Sequence, residues 1–343
     1  MLRAQARLTS LIFALSATAL AACSGSETPD AGGPLDTGTH TTHDSGATPD
    51  TGVDAGVIPD TGVEPDAGTE TCLLTDPVDT TRAPGCTEAW VASVRGELRH
   101  DDAAPFEDGR AQVCVRAQAG ASLSCLRPVP SCPDGQWEFL VPENLRCVAE
   151  LVMHNYALAG HFADTYCRPD VSGLAARALL DPVTIYTTTP PANLPPRGDG
   201  TVMRTIDLGL GVEVDVIPEG TFFDFGEGDD YERLGITKLA ANPNPAPCFL
   251  EAGDDFDAVY GFSPSINIAG ATGFPFRIKD TGLAQGTTVD LYVLGGLECL
   301  LDGTPESRVE EGHWAQYATV VAGANGEIAG NLPCLNWLAY KAR

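Results

Sequence analysis

Basic side chains are scarce in this chain. Its 343 residues hold 20 Lys and Arg against 47 Asp and Glu, a formal net charge of −27. A surface with that balance repels phosphate backbones and anionic headgroups, which argues against nucleic acid as a partner. Long apolar runs are missing too. After Leu20 no stretch reaches the roughly 18 apolar residues of a membrane-crossing helix. Catalytic spacings are also absent. No His opens an H-E-x-x-H or H-x-x-E pattern, and no two Cys form a C-x2-C unit. Gly261-Phe-Ser-Pro-Ser265 places proline after its serine, and Ser265 stands where a G-x-S-x-G nucleophile elbow needs its second glycine. These gaps argue against metallopeptidase, zinc-ribbon and serine-hydrolase chemistry, so no catalytic residue is assigned.

What is present begins with the leader. Arg3 and Arg7 precede an apolar stretch, Leu8 to Leu20, which ends in Leu20-Ala-Ala-Cys23. A short basic region, a short apolar region and small residues before a cleavage point read as a secretory signal peptide over residues 1–22. The cysteine directly after them resembles the lipobox of bacterial lipoproteins. That resemblance implies cleavage before Cys23, diacylation of its thiol and acylation of its new amine. Two or more acyl chains anchor a protein stably where one does so only marginally. The expected location is the cell envelope, with the chain membrane-anchored at the outer membrane or cell surface. Loss of the two leader arginines takes the formal net charge from −27 to −29.

From Ser24 to Thr71 there are ten acidic residues, no Lys or Arg and no aromatic side chain. Gly, Pro, Thr and Asp dominate. Such a segment buries too little apolar area to offset its chain entropy, so residues 23–71 read as a lipidated cysteine followed by a disordered acidic tether. Its Asp-Thr-Gly tripeptides match the catalytic sequence of aspartic proteases. That chemistry requires two carboxylates about 3 Å apart in a fixed cradle, which a tether cannot supply at Asp50 and Asp60. A third copy, Asp280-Thr281-Gly282, reads as a turn.

Beyond Cys23, ten cysteines remain: Cys72, Cys86, Cys114, Cys125, Cys132, Cys147, Cys167, Cys248, Cys299 and Cys334. An even set in an exported chain points to disulfides. The polypeptide divides near Thr189-Pro-Pro-Ala-Asn-Leu-Pro-Pro196, a run whose prolines fit neither a central strand nor a helix. Seven of the ten cysteines precede that boundary and three follow it. If all pair within the chain, at least one bridge must join the two parts; otherwise each part keeps a free thiol.

Short alternating apolar runs separated by Asp-Gly and Asn-Gly turns predict an all-β fold with two disulfide-braced β-sandwich domains, residues 72–188 and 189–343. Asn325-Gly326 is expected to close a hairpin, and Leu174 to Leu180 to form one short helix. In the first part, Trp90 to Gly96, Arg110 to Val115, Asp134-Gly-Gln-Trp-Glu-Phe-Leu-Val-Pro142 and Val148 to Val152 resemble the carboxypeptidase-regulatory-like, transthyretin-like β-sandwich. The Cys125 to Cys132 loop departs from that pattern as an insertion. In the second part, Gly211 to Thr221, Val259 to Pro264, Phe274 to Ile278 and Gly282 to Tyr292 resemble the zona occludens/netrin-receptor (ZU-type) sandwich, although Phe274 directly precedes Pro275. Both resemblances imply accessory binding modules without catalytic residues.

The remaining chemistry lies in acidic loops and histidines. Asp224, Glu227, Asp229 and Asp230, with Asp254, Asp255 and Asp257, offer the hard oxygen ligands that calcium takes. Neither run has EF-hand spacing, and solvated loops are the plainer reading. No other cofactor or metal is implied. His154 and His161 read as part-exposed sandwich histidines, and Trp90, Trp137, Trp314 and Trp337 as core. Arg197-Gly-Asp199 reads as an interdomain turn. The sequence thus points to a lipid-anchored, non-enzymatic envelope protein whose β-domains bind, adhere or scaffold. Its partners would be the membrane through the lipid and an envelope protein or glycan. The alternatives are an envelope hydrolase with an interdomain site and a calcium-dependent adhesin.

Overall fold

A computed structural model describes residues 72–117, 122–196, 201–217, 221–223, 230–240, 243, 246–251, 253–268, 273–296 and 299–343. Cys23, the leader, the tether, Asp224, Glu227, Asp229 and Arg197 to Asp199 lie outside these residues. The described residues belong to one compact unit, Val63–Arg343. Their regular structure is all-β, interrupted only by short 3-10 turns.

The main strands of the first sandwich are β1 (Ser93–His100), β2 (Gly109–Arg116), β3 (Gln136–Leu140), β4 (Glu150–Ala157), β5 (Thr165–Cys167), β6 (Arg177–Leu179) and β7 (Val183–Thr187). One sheet runs β5-β4-β2, with Ser124–Cys125 and Val129–Pro130 also on β2. In the facing sheet β1 takes β3 antiparallel and β6 and β7 parallel. The two-residue period of a strand sends alternate side chains inward. Val94 and Leu98 of β1, Trp137 and Phe139 of β3, Val113 and Val115 of β2 and Leu151 and Met153 of β4 therefore share one core.

The second sandwich is built from β8 (Arg204–Gly209), β9 (Val212–Val216), β10 (Gly235–Lys238), β11 (Ala258–Ile268), β12 (Phe274–Ile278), β13 (Thr288–Leu294), β14 (Trp314–Val321), β15 (Ile328–Leu332) and β16 (Cys334–Ala342). One sheet has the order β8-β9-β12-β15. The other runs from Thr221–Phe223 through β11, β16 and β13 to β14, with β10 also on β11. Val212, Val214 and Val216 meet Phe274, Phe276 and Ile278, and Val289, Leu291 and Val293 close the core from the opposite sheet.

Each sandwich uses a glycine to seat a tryptophan. Gly96 is the cross-strand partner of Trp137, and a Cβ at position 96 would lie 2.5 Å from the indole. Gly261 is the partner of Trp337, and a Cβ there would lie 2.6 Å from that ring. Both indoles are fully buried. Only a residue without a side chain lets the ring lie flat across the neighbouring strand.

Two sequence expectations fail. Leu174 to Leu180 is not helical, because Arg177–Leu179 forms β6 and pairs in parallel with Ser93 to Arg95. A seven-residue helix cannot offset its own nucleation cost, whereas the edge of β1 offers ready partners. Asn325-Gly326 does turn the chain, with φ of 58° and 74°. It does not close a hairpin: β14 pairs with β13 and β15 pairs with β12, so this turn carries the chain from one sheet to the other.

Candidate functional site

The ten cysteines form five pairs: Cys72–Cys132, Cys86–Cys147, Cys114–Cys125, Cys167–Cys248 and Cys299–Cys334. Three pairs lie in the first sandwich and one in the second. Cys167–Cys248 crosses between them, as the odd split of seven and three requires. It ties the end of β5 to the loop before Phe249.

Around that bridge the two sandwiches share a third apolar cluster. Ala163, Tyr166 and the half-buried Tyr186 of the first meet Leu239, Phe249, Val259, Leu294, Trp337 and Ala339 of the second. Trp337 is edge-on to Tyr186 at 5.5 Å between centroids and 4.5 Å from Phe249. Its Nε1 donates to the carbonyl oxygen of Asp164 at 2.5 Å. Arg233 donates to the carbonyl oxygens of Ala157 at 3.0 Å and Gly160 at 3.1 Å. Thr188 and Ser263 share a hydroxyl contact of 2.5 Å. Among the described residues, aromatic side chains and polar contacts line this seam.

His154 illustrates how the seam handles a titratable group. It is fully buried rather than part-exposed, enclosed by Tyr156, Tyr166 and Asp164. The ring stacks on Tyr166 at 4.3 Å and on Tyr156 at 4.8 Å, and its Nε2 lies 3.0 Å from Asp164 Oδ2. A His–Asp pair is the base-and-orienter half of a catalytic triad. Here it is sealed from solvent. Burial pushes the neighbouring Tyr156 and Tyr186 hydroxyls up to about 12, so both stay protonated at neutral pH.

At the solvent edge of the seam lies a charged cluster. Glu150 accepts from Arg116 Nε at 2.7 Å and from Arg168 Nε at 3.3 Å. Arg168 reaches Glu251 at 3.3 Å and donates to His313 Nδ1 at 3.0 Å. His313 Nε2 lies 3.4 Å from Glu310 and 3.7 Å from Glu150. Glu150, Glu310 and His313 converge closely enough for a metal ion. The surrounding donors favour ion pairing. Arg168 takes the Nδ1 lone pair, which leaves the imidazole proton on Nε2, the nitrogen facing the carboxylates. Two guanidinium groups already neutralise Glu150. Burial on its own raises the Glu150 carboxyl, but Arg116 and then Arg168 outweigh it and hold it below its ordinary range.

The proposed calcium ligands that are described face protein donors. Asp254 accepts from the Glu251 backbone at 2.8 Å, Asp255 pairs with Lys341, and Asp257 accepts from the Ala342 backbone at 2.6 Å. Asp230 begins a 3-10 turn, Asp230–Arg233. Trp137 and Trp337 are core side chains and Trp90 is nearly so. Trp314 is half-buried at the seam, where its Nε1 donates to Phe249 O at 2.8 Å. His161 Nδ1 lies 3.2 Å from Arg233 O. Asp280-Thr281-Gly282 is a turn whose Thr281 hydroxyl donates to Gly326 O at 2.6 Å. The seam itself was visible to sequence reasoning only through cysteine parity; no local pattern marks Glu150, Arg168 and His313, which are far apart in the chain.

No protein-family model and no curated protein matches the chain. Among solved structures it is similar to a streptococcal ancillary pilin, at 8 % identity over 74 % of this chain and 54 % of that one, with a TM-score of 0.22. It is also similar to the full-length major pilin SpaD from Corynebacterium diphtheriae, at 8 % identity over 76 % and 83 %, with a TM-score of 0.22. A 9R-lipoxygenase from Cyanothece overlaps at 14 % identity, with a TM-score of 0.23, over 34 % of this chain and 20 % of that one. The chain thus spans a fifth of the lipoxygenase and about half of the ancillary pilin. Overlaps at these scores lend the chain neither a family nor a function. Its own geometry describes it: an all-β protein in which two disulfide-braced sandwiches are joined by a covalent bridge and a filled seam.

Proposed function

We propose that this chain is a lipid-anchored cell-envelope protein, not an enzyme, that presents two cross-linked β-sandwiches for binding, adhesion or scaffolding. The observation that carries this reading is the cysteine balance. Ten cysteines pair with one another, and Cys23 is left over at the position where the lipobox resemblance puts the acylated residue. Five bridges also suit an oxidising, exported compartment. In this reading residues 1–22 are removed, residues 23–71 tether the fold to the membrane, and residues 72–188 and 189–343 are the two modules. The seat of Trp137 on Gly96 gives a physical reason for the glycine strand and the D-G-x-W turn behind the carboxypeptidase-regulatory-like resemblance. The second module keeps its ZU-type resemblance on motif grounds alone.

Detergent phase partitioning tests the anchor. Native protein is expected in the detergent-rich phase, and Cys23→Ser protein, which lacks the acylated thiol, in the aqueous phase. Equal partitioning of the two into the aqueous phase would remove the anchor from the account.

A further inference from the structure

The outward face of the first sandwich carries a cleft of about 680 Å3, within the roughly 300–1,000 Å3 of small-molecule sites. Its origin is local. The parallel ladder between β1 and the β6–β7 segment lapses opposite Gly96 and Glu97, where Pro182 has no N–H to donate. The cleft is lined by Arg95 and Glu97 from β1, Glu138 from β3, Arg177 and Leu179 from β6, and Asp181.

Most of these charges already cancel. Glu138 is 5 % exposed and takes Arg177 Nη2 at 2.8 Å, with the Leu74 backbone N at 3.3 Å and the Ser93 hydroxyl at 3.4 Å. Glu97 takes both Arg99 nitrogens, at 2.7 and 2.9 Å. Two charges remain. Arg95 donates to Gln136, a neutral amide, and forms no ion pair among the described residues. The Asp181 carboxylate has no hydrogen-bond or ion-pair partner among the described residues. Leu179 contributes apolar surface to the same cleft and is 75 % exposed.

We infer that this cleft binds a small zwitterion with an apolar body, a free amino acid or short peptide. The guanidinium of Arg95 takes the carboxylate, a planar acceptor that matches its paired donors. Asp181 takes the ammonium group, and the ligand's side chain covers Leu179. The net charge of −27 disfavours a simple anion, which would have to approach against the field of the whole protein. A zwitterion carries no such penalty. The site goes beyond the envelope reading and does not depend on it, because its ligand-binding groups come from residues 95–181 alone.

Isothermal titration of the purified full-length protein tests this with three probes: the dipeptide Ala-Leu, its N-acetyl form and its C-terminal amide. Ala-Leu should bind saturably. Blocking either terminus should weaken binding by about tenfold or more, the worth of one charge-assisted hydrogen bond. Asp181→Asn should weaken Ala-Leu as N-acetylation does, and should not weaken the acetylated probe further. Arg95→Met should stand in the same relation to the amide. Both side chains reach solvent, so near-ultraviolet circular dichroism of both variants should match the wild type. The peptide modifications give the same answer on unaltered protein if a variant misfolds. Absence of heat with millimolar Ala-Leu, or an affinity indifferent to a blocked terminus, would overturn the inference.

Discussion

Removing the bridge between the sandwiches is the most informative perturbation. Cys167 and Cys248 are 81 residues apart in sequence, and no other bridge spans that interval. In the chain-entropy treatment, opening a loop of this length releases about 15 cal/mol/K to the unfolded chain, or about 4.5 kcal/mol at 25 °C. That is a large share of the 5–15 kcal/mol that typically holds a domain together. The double variant Cys167→Ala/Cys248→Ala should therefore lower the urea unfolding free energy by roughly 3–5 kcal/mol, with a steeper denaturant slope, since the unfolded chain freed of the bridge exposes more surface. Tryptophan fluorescence follows the transition from inside the seam, because Trp337 is buried there. Non-reducing peptide mapping of the wild type should first recover Cys167 and Cys248 in one linked species. A loss below about 1 kcal/mol, or mapping that finds only bridges within each sandwich, would refute the reasoning.

Three further outcomes follow from the contacts. Gly96→Ala and Gly261→Ala each force a methyl group against a buried indole, and each should cost about 1–3 kcal/mol in chemical denaturation; a neutral result would mean that the tryptophans are not seated as described. The depressed Glu150 carboxyl contributes stability that is complete above its unfolded value, near the ordinary 4.5, and is lost as pH falls through its lower folded value. Glu150→Gln should accordingly flatten the stability–pH curve below about pH 4.5; identical acid slopes in variant and wild type would show that the cluster contributes nothing. Because Asp255 and Asp257 already face Lys341 and the Ala342 backbone, Asp255→Asn should leave any heat of calcium titration unchanged, and a lost signal would place an ion there.

The parts of the fold that the sequence makes legible are those governed by local rules. Strand alternation at Trp137, Phe139, Val212 and Val214 follows the two-residue period, and it predicts the two cores directly. Parity of the cysteines foretells a crossing bridge without naming it. The failures are failures of partner choice. Leu174 to Leu180 has helical composition, but it borders the open edge of β1. Asn325-Gly326 has the right turn chemistry, but turn chemistry does not say which sheet receives the next strand. The seam and the cleft are assembled from positions as distant as Glu150 and His313, or Arg95 and Asp181, and no window of sequence brings them together. The burial of His154 is likewise illegible in sequence, because the strand pairing that brings Tyr166 and Asp164 onto its ring is a matter of partner choice.

Mass spectrometry of the N-terminal peptide of the mature protein, isolated from its native envelope, tests the central claim most directly. The account predicts a chain that begins at Cys23, with a thioether-linked diacylglyceryl group and an acylated amine. A mature protein that retains the leader, or that carries an unmodified thiol at Cys23, would contradict it.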